Sequence, residues 1–216
     1  MNIKNLYGIA IASLLLGCTP KEKNSKVKLM TLDPGHFHAA LIQKTSYEDI
    51  DTTVHVYAPD GPEVKDFLNK IEGYNSRIEN PTNWKVKTHL TQDYLEKMVN
   101  EKPGNVMVVS GKNSKKIDYI LAAVNAGLNV YADKPLVVDQ EGFKKLEKVF
   151  EIAKEKNLLV YDIMTERFEV TTGIQKALSM KPEVFGVLLD GSQSEPSISK
   201  ESIHHLSKKV SGKPLV

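Results

Sequence analysis

The stretch from residue 106 to residue 136 constrains the fold of this chain more than any other segment. It reads as an apolar strand, a polar loop, an amphipathic helix, a glycine and a second apolar strand, followed by Asp133, Lys134 and Pro135. A strand–helix–strand unit of this length predicts two parallel strands of one sheet. Ligands bind at the carboxyl ends of the strands in such a sheet, so Lys134 is in a position to act on a bound ligand.

The rest of the chain alternates in the same way between short apolar runs and helical periodicity. Further predicted strands are residues 27–32, 53–58, 84–90, 158–163 and 184–189. Further predicted helices are residues 38–44, 62–71, about 91–101, 140–156, 170–179 and 202–209, and residues 73–83 read as a loop. This alternation predicts an α/β fold, a Rossmann-like doubly wound parallel sheet that helices cover on both faces.

Charge and cysteine content exclude several classes of function. The 216 residues carry a net charge of +2 from interspersed acids and bases, which gives no electrostatic basis for binding nucleic acid. Cys18 is the single cysteine and lies before the folded part, which excludes disulfides, zinc–thiolate sites and thiol nucleophiles there.

Residues 1–18 form a separate unit with the pattern of a secretory signal. Lys4 is followed by an apolar run over residues 6–16, which is shorter than the roughly 20 residues that a membrane-spanning helix needs. The run ends at Cys18 in a sequence that resembles the bacterial lipobox, where the cysteine is lipidated. The resemblance implies a lipid anchor at Cys18, a tether over residues 19–26 and a place in the bacterial cell envelope, on the periplasmic or cell-surface side. A simple signal peptide or an apolar strand with a chance cysteine are the alternatives.

The loop after the first strand is where a dinucleotide fold holds the pyrophosphate. Of the glycines of the Gly-x-Gly-x-x-Gly pattern, one remains here, Gly35, and Asp33 adds a carboxylate that must be offset. We predict that Gly35, His36, Phe37 and His38 contact a cofactor, the histidines by hydrogen bonds to phosphate. Helix capping or packing are alternatives. The histidine pair could also share a metal ion, but no third ligand is evident nearby, so we predict no metal site.

Asp60 follows the second strand, where a Rossmann fold places an acidic residue that binds the adenosine ribose. The segment Pro59-Asp60-Gly61 is equally typical of an ordinary turn. The sequence therefore does not distinguish NAD from NADP.

The stretch from residue 106 to residue 136 resembles the glucose–fructose oxidoreductase/inositol dehydrogenase (Gfo/Idh/MocA) family. That family has Pro-Asn-x-x-His in the loop, Ala-Gly after the helix and Glu-Lys-Pro after the next strand. The residues that match at the family's spacing are Asn113, Ala126, Gly127, Lys134 and Pro135. The departures are Lys112 for the proline, Lys116 for the histidine and Asp133 for the glutamate.

The resemblance implies a role for several residues. Lys134 would lie beside the nicotinamide and assist proton transfer, and Asp133 would lie next to it at the cofactor. The loop residues Ser110, Gly111 and Asn113 would run along the cofactor. A surface lysine in a turn and a plain helix-capping loop are the alternatives to these roles.

Arg167 follows the predicted strand over residues 158–163, where the resemblance implies a basic or aromatic residue near the substrate. A guanidinium can bind an acidic or hydroxyl-rich substrate with two hydrogen bonds. The alternative is an ion pair with Glu166 or Glu169 on a solvated helix face.

The resemblance also implies a domain organisation. Residues 27–183 would form an NAD- or NADP-binding domain, and residues 184–216 the start of a C-terminally truncated α+β domain that builds the substrate pocket. The missing sheet of that domain could support a homo-oligomer. We expect little or no turnover from these residues alone.

These features together predict an NAD(P)-dependent oxidoreductase that acts on a sugar or polyol. Free NAD is scarce outside the cytoplasm, so we expect the cofactor to be tightly bound. The first alternative is a non-catalytic lipoprotein that binds a carbohydrate or a partner. The second is a hydrolase or lyase that oxidises a sugar transiently on a resident nicotinamide.

Overall fold

A computed structural model of the protein describes residues 26–164, 167–187, 189–192, 194–196, 209–210 and 213–214. The predicted signal segment with Cys18, the tether up to residue 25 and residues 202–208 of the predicted helix over residues 202–209 lie outside these residues. Among the described helices, none is long and apolar enough to cross a membrane.

A sheet of six parallel strands forms the centre of the fold. Its strands are β1 (Leu29–Leu32), β2 (Thr53–Ala58), β3 (Lys85–Leu90), β4 (Val106–Val109), β5 (Asn129–Asp133) and β6 (Val160–Ile163). Their order is β3-β2-β1-β4-β5-β6, the order of a Rossmann fold, with the crevice for a ligand between β1 and β4, where the strand order reverses. The predicted fold class is confirmed.

Helices cover both faces of this sheet. They are α1 (His38–Leu41), α2 (Pro62–Ser76), α3 (Tyr94–Glu101), α4 (Asn113–Asn125), α5 (Gln140–Glu155), α6 (Val170–Ser179) and α7 (Pro182–Phe185). Two short antiparallel strands, β7 (Lys209–Val210) and β8 (Lys213–Pro214), follow.

Side-chain alternation along β1 explains why both faces are covered. Met30 and Leu32 point into a core shared with α3, α4 and α5, whereas Leu29 points into a second core shared with α1 and α2. All four residues of β1 are buried, as expected for a central parallel strand.

The structure differs most from the predicted elements at α2 and after Pro182; in addition, α1 ends at Leu41, before residue 44, and Lys209, predicted as helix, lies in β7. Helix α2 continues to Ser76, into the predicted loop, because Ile71 is buried and Tyr74 packs against the second core. The predicted strand over residues 184–189 is wrong, because Pro182 begins α7 and Gly186, with φ of 78°, ends it. Pro at the first helical position and a left-handed glycine after the last are typical helix boundaries.

Candidate functional site

Two loops meet at the carboxyl edge of the sheet, one after β1 and one after β4. The backbone N–H groups of Gly35 and His36 both donate to the carbonyl oxygen of Ser110, at 2.7 and 3.2 Å. Gly111 has φ of 106°, and a Cβ atom there would lie 2.7 Å from the Cα atom of Gly35. A side chain at position 111 would therefore force the loops apart, which explains the need for glycine.

A buried carboxylate, Asp133, joins these loops to the end of β5. His36 Nδ1 lies 2.8 Å from Asp133 Oδ2, and His38 Nδ1 lies 2.9 Å from Oδ1. The hydroxyl of Ser110 donates to Oδ2 at 2.8 Å. Burial raises the pKa of the Asp133 carboxyl, but the hydrogen bonds from His36, His38 and Ser110 outweigh it and hold that pKa well below its usual value. Asp133 is therefore ionised at neutral pH.

This cluster brings to the histidine pair a third potential ligand that was not evident from the sequence. Asp133 is separated from His36 by 97 residues along the chain, yet the parallel order of β1, β4 and β5 places them at one edge. The adjacency of strand ends in a Rossmann sheet is the one signal that could have suggested it.

The other acidic residue of the first loop, Asp33, is also buried, and its charge is offset. Lys112 Nζ lies 2.6 Å from Asp33 Oδ1, and the Tyr119 hydroxyl donates to Oδ2 at 3.0 Å. Tyr94 reaches the same oxygen at 3.4 Å and the Tyr119 hydroxyl at 2.6 Å. Burial, with the contacts to Tyr94 and Asp33, raises the pKa of Tyr119, which therefore stays a neutral donor.

Lys116 lies under the turn after β5 and is fully buried. Its ammonium donates to Asn113 Oδ1 at 2.7 Å and to the carbonyl oxygens of Asp133 and Pro135 at 2.8 and 2.9 Å. Burial lowers the pKa of Lys116 to about 8, against the opposing attraction of Asp133. The lysine that replaces the family's histidine thus supports the turn that carries Lys134, whose own side chain is exposed.

The remaining predicted residues lie around this cluster. Phe37 is partly exposed, with its ring centroid 4.5 Å from the ring centroids of both His36 and His38. Asp60 is exposed after β2 and pairs with Lys65 at 3.2 Å.

Arg167 binds both carboxylate oxygens of Asp162 at 2.5 Å, and its guanidinium lies over the ring of Tyr161. Of the two alternative partners considered for Arg167, Glu169 instead caps α6 through the N–H groups of Thr171 and Thr172. Glu166 lies outside the described residues.

The chemistry of the site follows from these contacts. Two histidine rings and the Ser110 hydroxyl converge on Asp133. A lysine–aspartate pair lies between the ends of β1 and β4, and Lys134 presents a cation to solvent. The structure thus brings Gly35, His36, His38, Ser110, Gly111 and Asp133 into one connected group, with Asn113 and Lys134 adjoining it. Asp60 and Arg167 make separate contacts on α2 and β6.

Three solved structures described as oxidoreductases or named as dehydrogenases or reductases are similar to this chain. A protein from Parabacteroides merdae, described as a "putative oxidoreductase", is 54% identical with a TM-score of 0.81, covering 88% of this chain and 43% of that chain. Scyllo-inositol dehydrogenase from Lactobacillus casei, solved with NAD(H) and scyllo-inositol, is 15% identical with a TM-score of 0.51, covering 74% and 42%. Biliverdin reductase from Synechocystis sp. PCC 6803, solved with biliverdin and NADP+, is 15% identical with a TM-score of 0.52, covering 71% and 43%.

Two family models match this sequence, and no curated protein does. The model described as "Putative oxidoreductase C terminal domain" matches residues 174–216. The model described as "Oxidoreductase family, NAD-binding Rossmann fold" matches residues 33–162. This chain spans less than half the length of the Parabacteroides protein. With the larger match covering more than half of its residues, the chain belongs to the Gfo/Idh/MocA oxidoreductase family and contains that family's NAD-binding Rossmann domain.

Proposed function

We propose that this chain is the cofactor domain of an enzyme that oxidises or reduces a sugar or polyol with tightly held NAD or NADP. The observation that carries the proposal is the exposed Lys134 at the carboxyl end of β5, on a turn that the buried Lys116 supports. Scyllo-inositol dehydrogenase, which shares the fold, was solved with a polyol and NAD(H), which supports the substrate class.

The residues at the carboxyl edge of the sheet fit a dinucleotide, but the groups that would bind its pyrophosphate are unusual. A Rossmann loop ordinarily presents backbone N–H groups to the pyrophosphate. Here the N–H groups of Gly35 and His36 bond to Ser110 instead. Lys112, half-buried and already paired with Asp33, is the cation available for phosphate. Asp60 would bind the adenosine ribose.

Lys134 is the residue that we expect to act on the substrate. The bound nicotinamide supplies or accepts the hydride. When the carbon that bears a substrate hydroxyl gives up its hydride, the hydroxyl must also lose its proton, and a nearby ammonium stabilises the developing negative charge on that oxygen. Lys116, through Asp133 and Pro135, would hold the turn so that Lys134 is oriented before substrate binds.

Tight cofactor binding is part of the proposal because we also infer an anchor outside the cytoplasm, through lipid on Cys18. Substituting Cys18→Ser should move the protein from the membrane fraction to the soluble fraction of its native host. Unchanged membrane association of the variant would contradict the anchor without bearing on the chemistry.

Mass spectrometry of small molecules released by denaturing the protein from its native host tests the cofactor. We expect about one equivalent of NAD or NADP per chain. Absence of nucleotide, together with no heat of binding when NAD or NADP is added, would overturn the proposal. That result would favour the non-catalytic binding protein, which the occupied N–H groups of Gly35 and His36 support.

Turnover of a protein that carries both this domain and the C-terminal domain, assayed with a panel of sugars and polyols, tests the role of Lys134. Lys134→Met should lower the rate of hydride transfer by about 100-fold or more while the bound nucleotide is retained, because proton transfer is lost. Lys115→Met, at an exposed position on α4, is the matched control and should keep its rate. Equal rates in both variants would exclude Lys134 from the chemistry.

A further inference from the structure

We propose that His36, His38 and Asp133 bind one divalent transition-metal ion at the carboxyl edge of the sheet. The site would lie beside the dinucleotide crevice, and the proposal does not depend on whether a nucleotide binds there.

The distances between the side-chain atoms suit a shared ion. One potential ligand atom from each residue lies within 4.8 Å of the other two. The contacts of His36 Nδ1 and His38 Nδ1 with the two oxygens of Asp133 are 2.8 and 2.9 Å. Ligands about 2.1 Å from an ion and at right angles to each other lie about 3.0 Å apart. Both nitrogen–oxygen contacts are therefore short enough for an ion to take the place of the bridging protons.

The type and number of ligands indicate which ions would bind. Two imidazoles and one carboxylate form a donor set that Zn²⁺, Fe²⁺, Co²⁺ and Mn²⁺ accept, whereas Ca²⁺ and Mg²⁺ prefer oxygen ligands. Three protein ligands leave coordination positions open to water or to an oxygen of a substrate. A hydroxyl or carbonyl oxygen of a sugar is the chemical class that such an open position takes.

The three residues are held in place before any ion arrives. The side chains of His36, His38 and Asp133 are 11%, 8% and 4% exposed. The Ser110 hydroxyl donates to Asp133, and the Ser110 carbonyl accepts from the backbone of His36. Hydrogen bonds of this kind orient metal ligands and strengthen their hold on the ion.

The balance of charge also favours a cation at this point. Asp33 has a lysine partner, Lys112, for its buried carboxylate. In the described residues no lysine makes a hydrogen bond to the Asp133 carboxylate: Lys116, which its charge attracts, donates to the main-chain oxygen instead. A buried carboxylate is costly unless it is paired or bound to a metal. The two histidines are the ionisable side chains that contact this carboxylate in the described part of the chain, and a dication between them would add to the compensation of its charge.

Titration of the protein with Co²⁺ tests the site. The protein is purified without a polyhistidine tag, stripped with chelator and titrated with Co²⁺ while visible absorption and heat are recorded. We expect one equivalent to bind and to give absorption bands of nitrogen–oxygen ligation, and added Zn²⁺ to compete. In untreated protein, elemental mass spectrometry should find one of these four metals.

Three variants and one matched control assign the ligands. His36→Gln, His38→Gln and Asp133→Asn should each weaken Co²⁺ binding by about 100-fold or more, because each removes one of three ligands. His89→Gln is the control, since His89 belongs to another histidine pair, with His55, elsewhere on the sheet. The control should bind Co²⁺ as the unmodified protein does.

The proposal is overturned if the folded, unmodified protein binds no Co²⁺ at millimolar concentration. In that case the three residues form a hydrogen-bonded cluster alone. It is equally overturned if His36→Gln and Asp133→Asn, with circular dichroism unchanged, bind Co²⁺ as tightly as the control. Neither result bears on nucleotide binding, which is measured separately.

Discussion

At the scale of single residues, Lys116, which stands where the family has a histidine, is interpreted differently from the sequence and from the structure. The sequence presents it as a departure from the family's histidine, whereas the structure makes it an internal support for two carbonyl oxygens. A lysine ammonium has three donors and no acceptor, which matches its three oxygen partners. Its burial was not predictable, because lysine is almost never buried unless it is paired.

The lowered pKa of Lys116 predicts a specific dependence of stability on pH. Its value of about 8 in the folded protein lies below the ordinary 10.5. Between these values the unfolded chain binds more protons than the folded one, so the free energy of unfolding contributed by Lys116 rises with pH. Relative to Lys116→Met, the unmodified protein should gain about 2 kcal/mol between pH 7.5 and 10.

Urea unfolding at several pH values measures this difference. Lys115→Met, exposed on the same helix, is the control and should differ from the unmodified protein by a constant amount across the range. A difference for Lys116→Met that stays flat, or that falls as pH rises, would show that the ammonium is not destabilised by burial.

At the scale of elements, apolar periodicity predicted the strands of the parallel sheet but misplaced some helix ends. Periodicity reports which residues can be buried, whereas the end of a helix depends on capping and on tertiary packing. The apolar residues after Pro182 fit a strand by pattern, yet the residues from Pro182 to Phe185 form α7, and Phe185 and Val187 are 67% and 75% exposed.

The contact between Gly35 and Gly111 predicts how the two loops respond to a methyl group. Gly111→Ala should lower the free energy of unfolding by about 2–4 kcal/mol, because the added Cβ meets the backbone of Gly35 and the positive φ is strained. Gly127→Ala has a positive φ but open space around it, so it should cost about 1 kcal/mol. Gly73→Ala, within α2 and in open space, should stabilise by about 0.5–1 kcal/mol.

The three glycine variants are compared by urea unfolding under one set of conditions. Their order is the informative result, since all three add the same methyl group. If Gly111→Ala were as stable as Gly127→Ala, the loops after β1 and β4 could not be in contact.

At the scale of the whole molecule, the described part of the chain has a buried sheet and a C-terminal segment with exposed apolar residues. Val170, Ile174 and Leu178 recur at helical spacing along α6 and are 71%, 52% and 38% exposed. This segment overlaps the match to the oxidoreductase C-terminal domain. A contiguous apolar surface of this kind differs from scattered apolar residues, which are normal on protein surfaces.

This exposure predicts how the 216-residue chain behaves in solution. It should bind the fluorescent dye anilinonaphthalene sulfonate, and the double substitution Ile174→Lys and Leu178→Lys should remove most of that signal. The single substitution Ile78→Lys is the control, since Ile78 is 98% exposed but lies outside this surface. Equal dye fluorescence in all three proteins would show that α6 does not present an apolar surface.

What the sequence by itself determined is the class of fold and the approximate place of the site. Alternating apolar runs and amphipathic helices are local properties, and parallel strands place their carboxyl ends at one edge. Only the tertiary structure decided which side chains meet there. His36 contacts Asp133, 97 residues away along the chain, and Lys112 contacts Asp33, 79 residues away. Such contacts depend on strand order and loop closure to within an ångström, which the spacing of residue types does not encode.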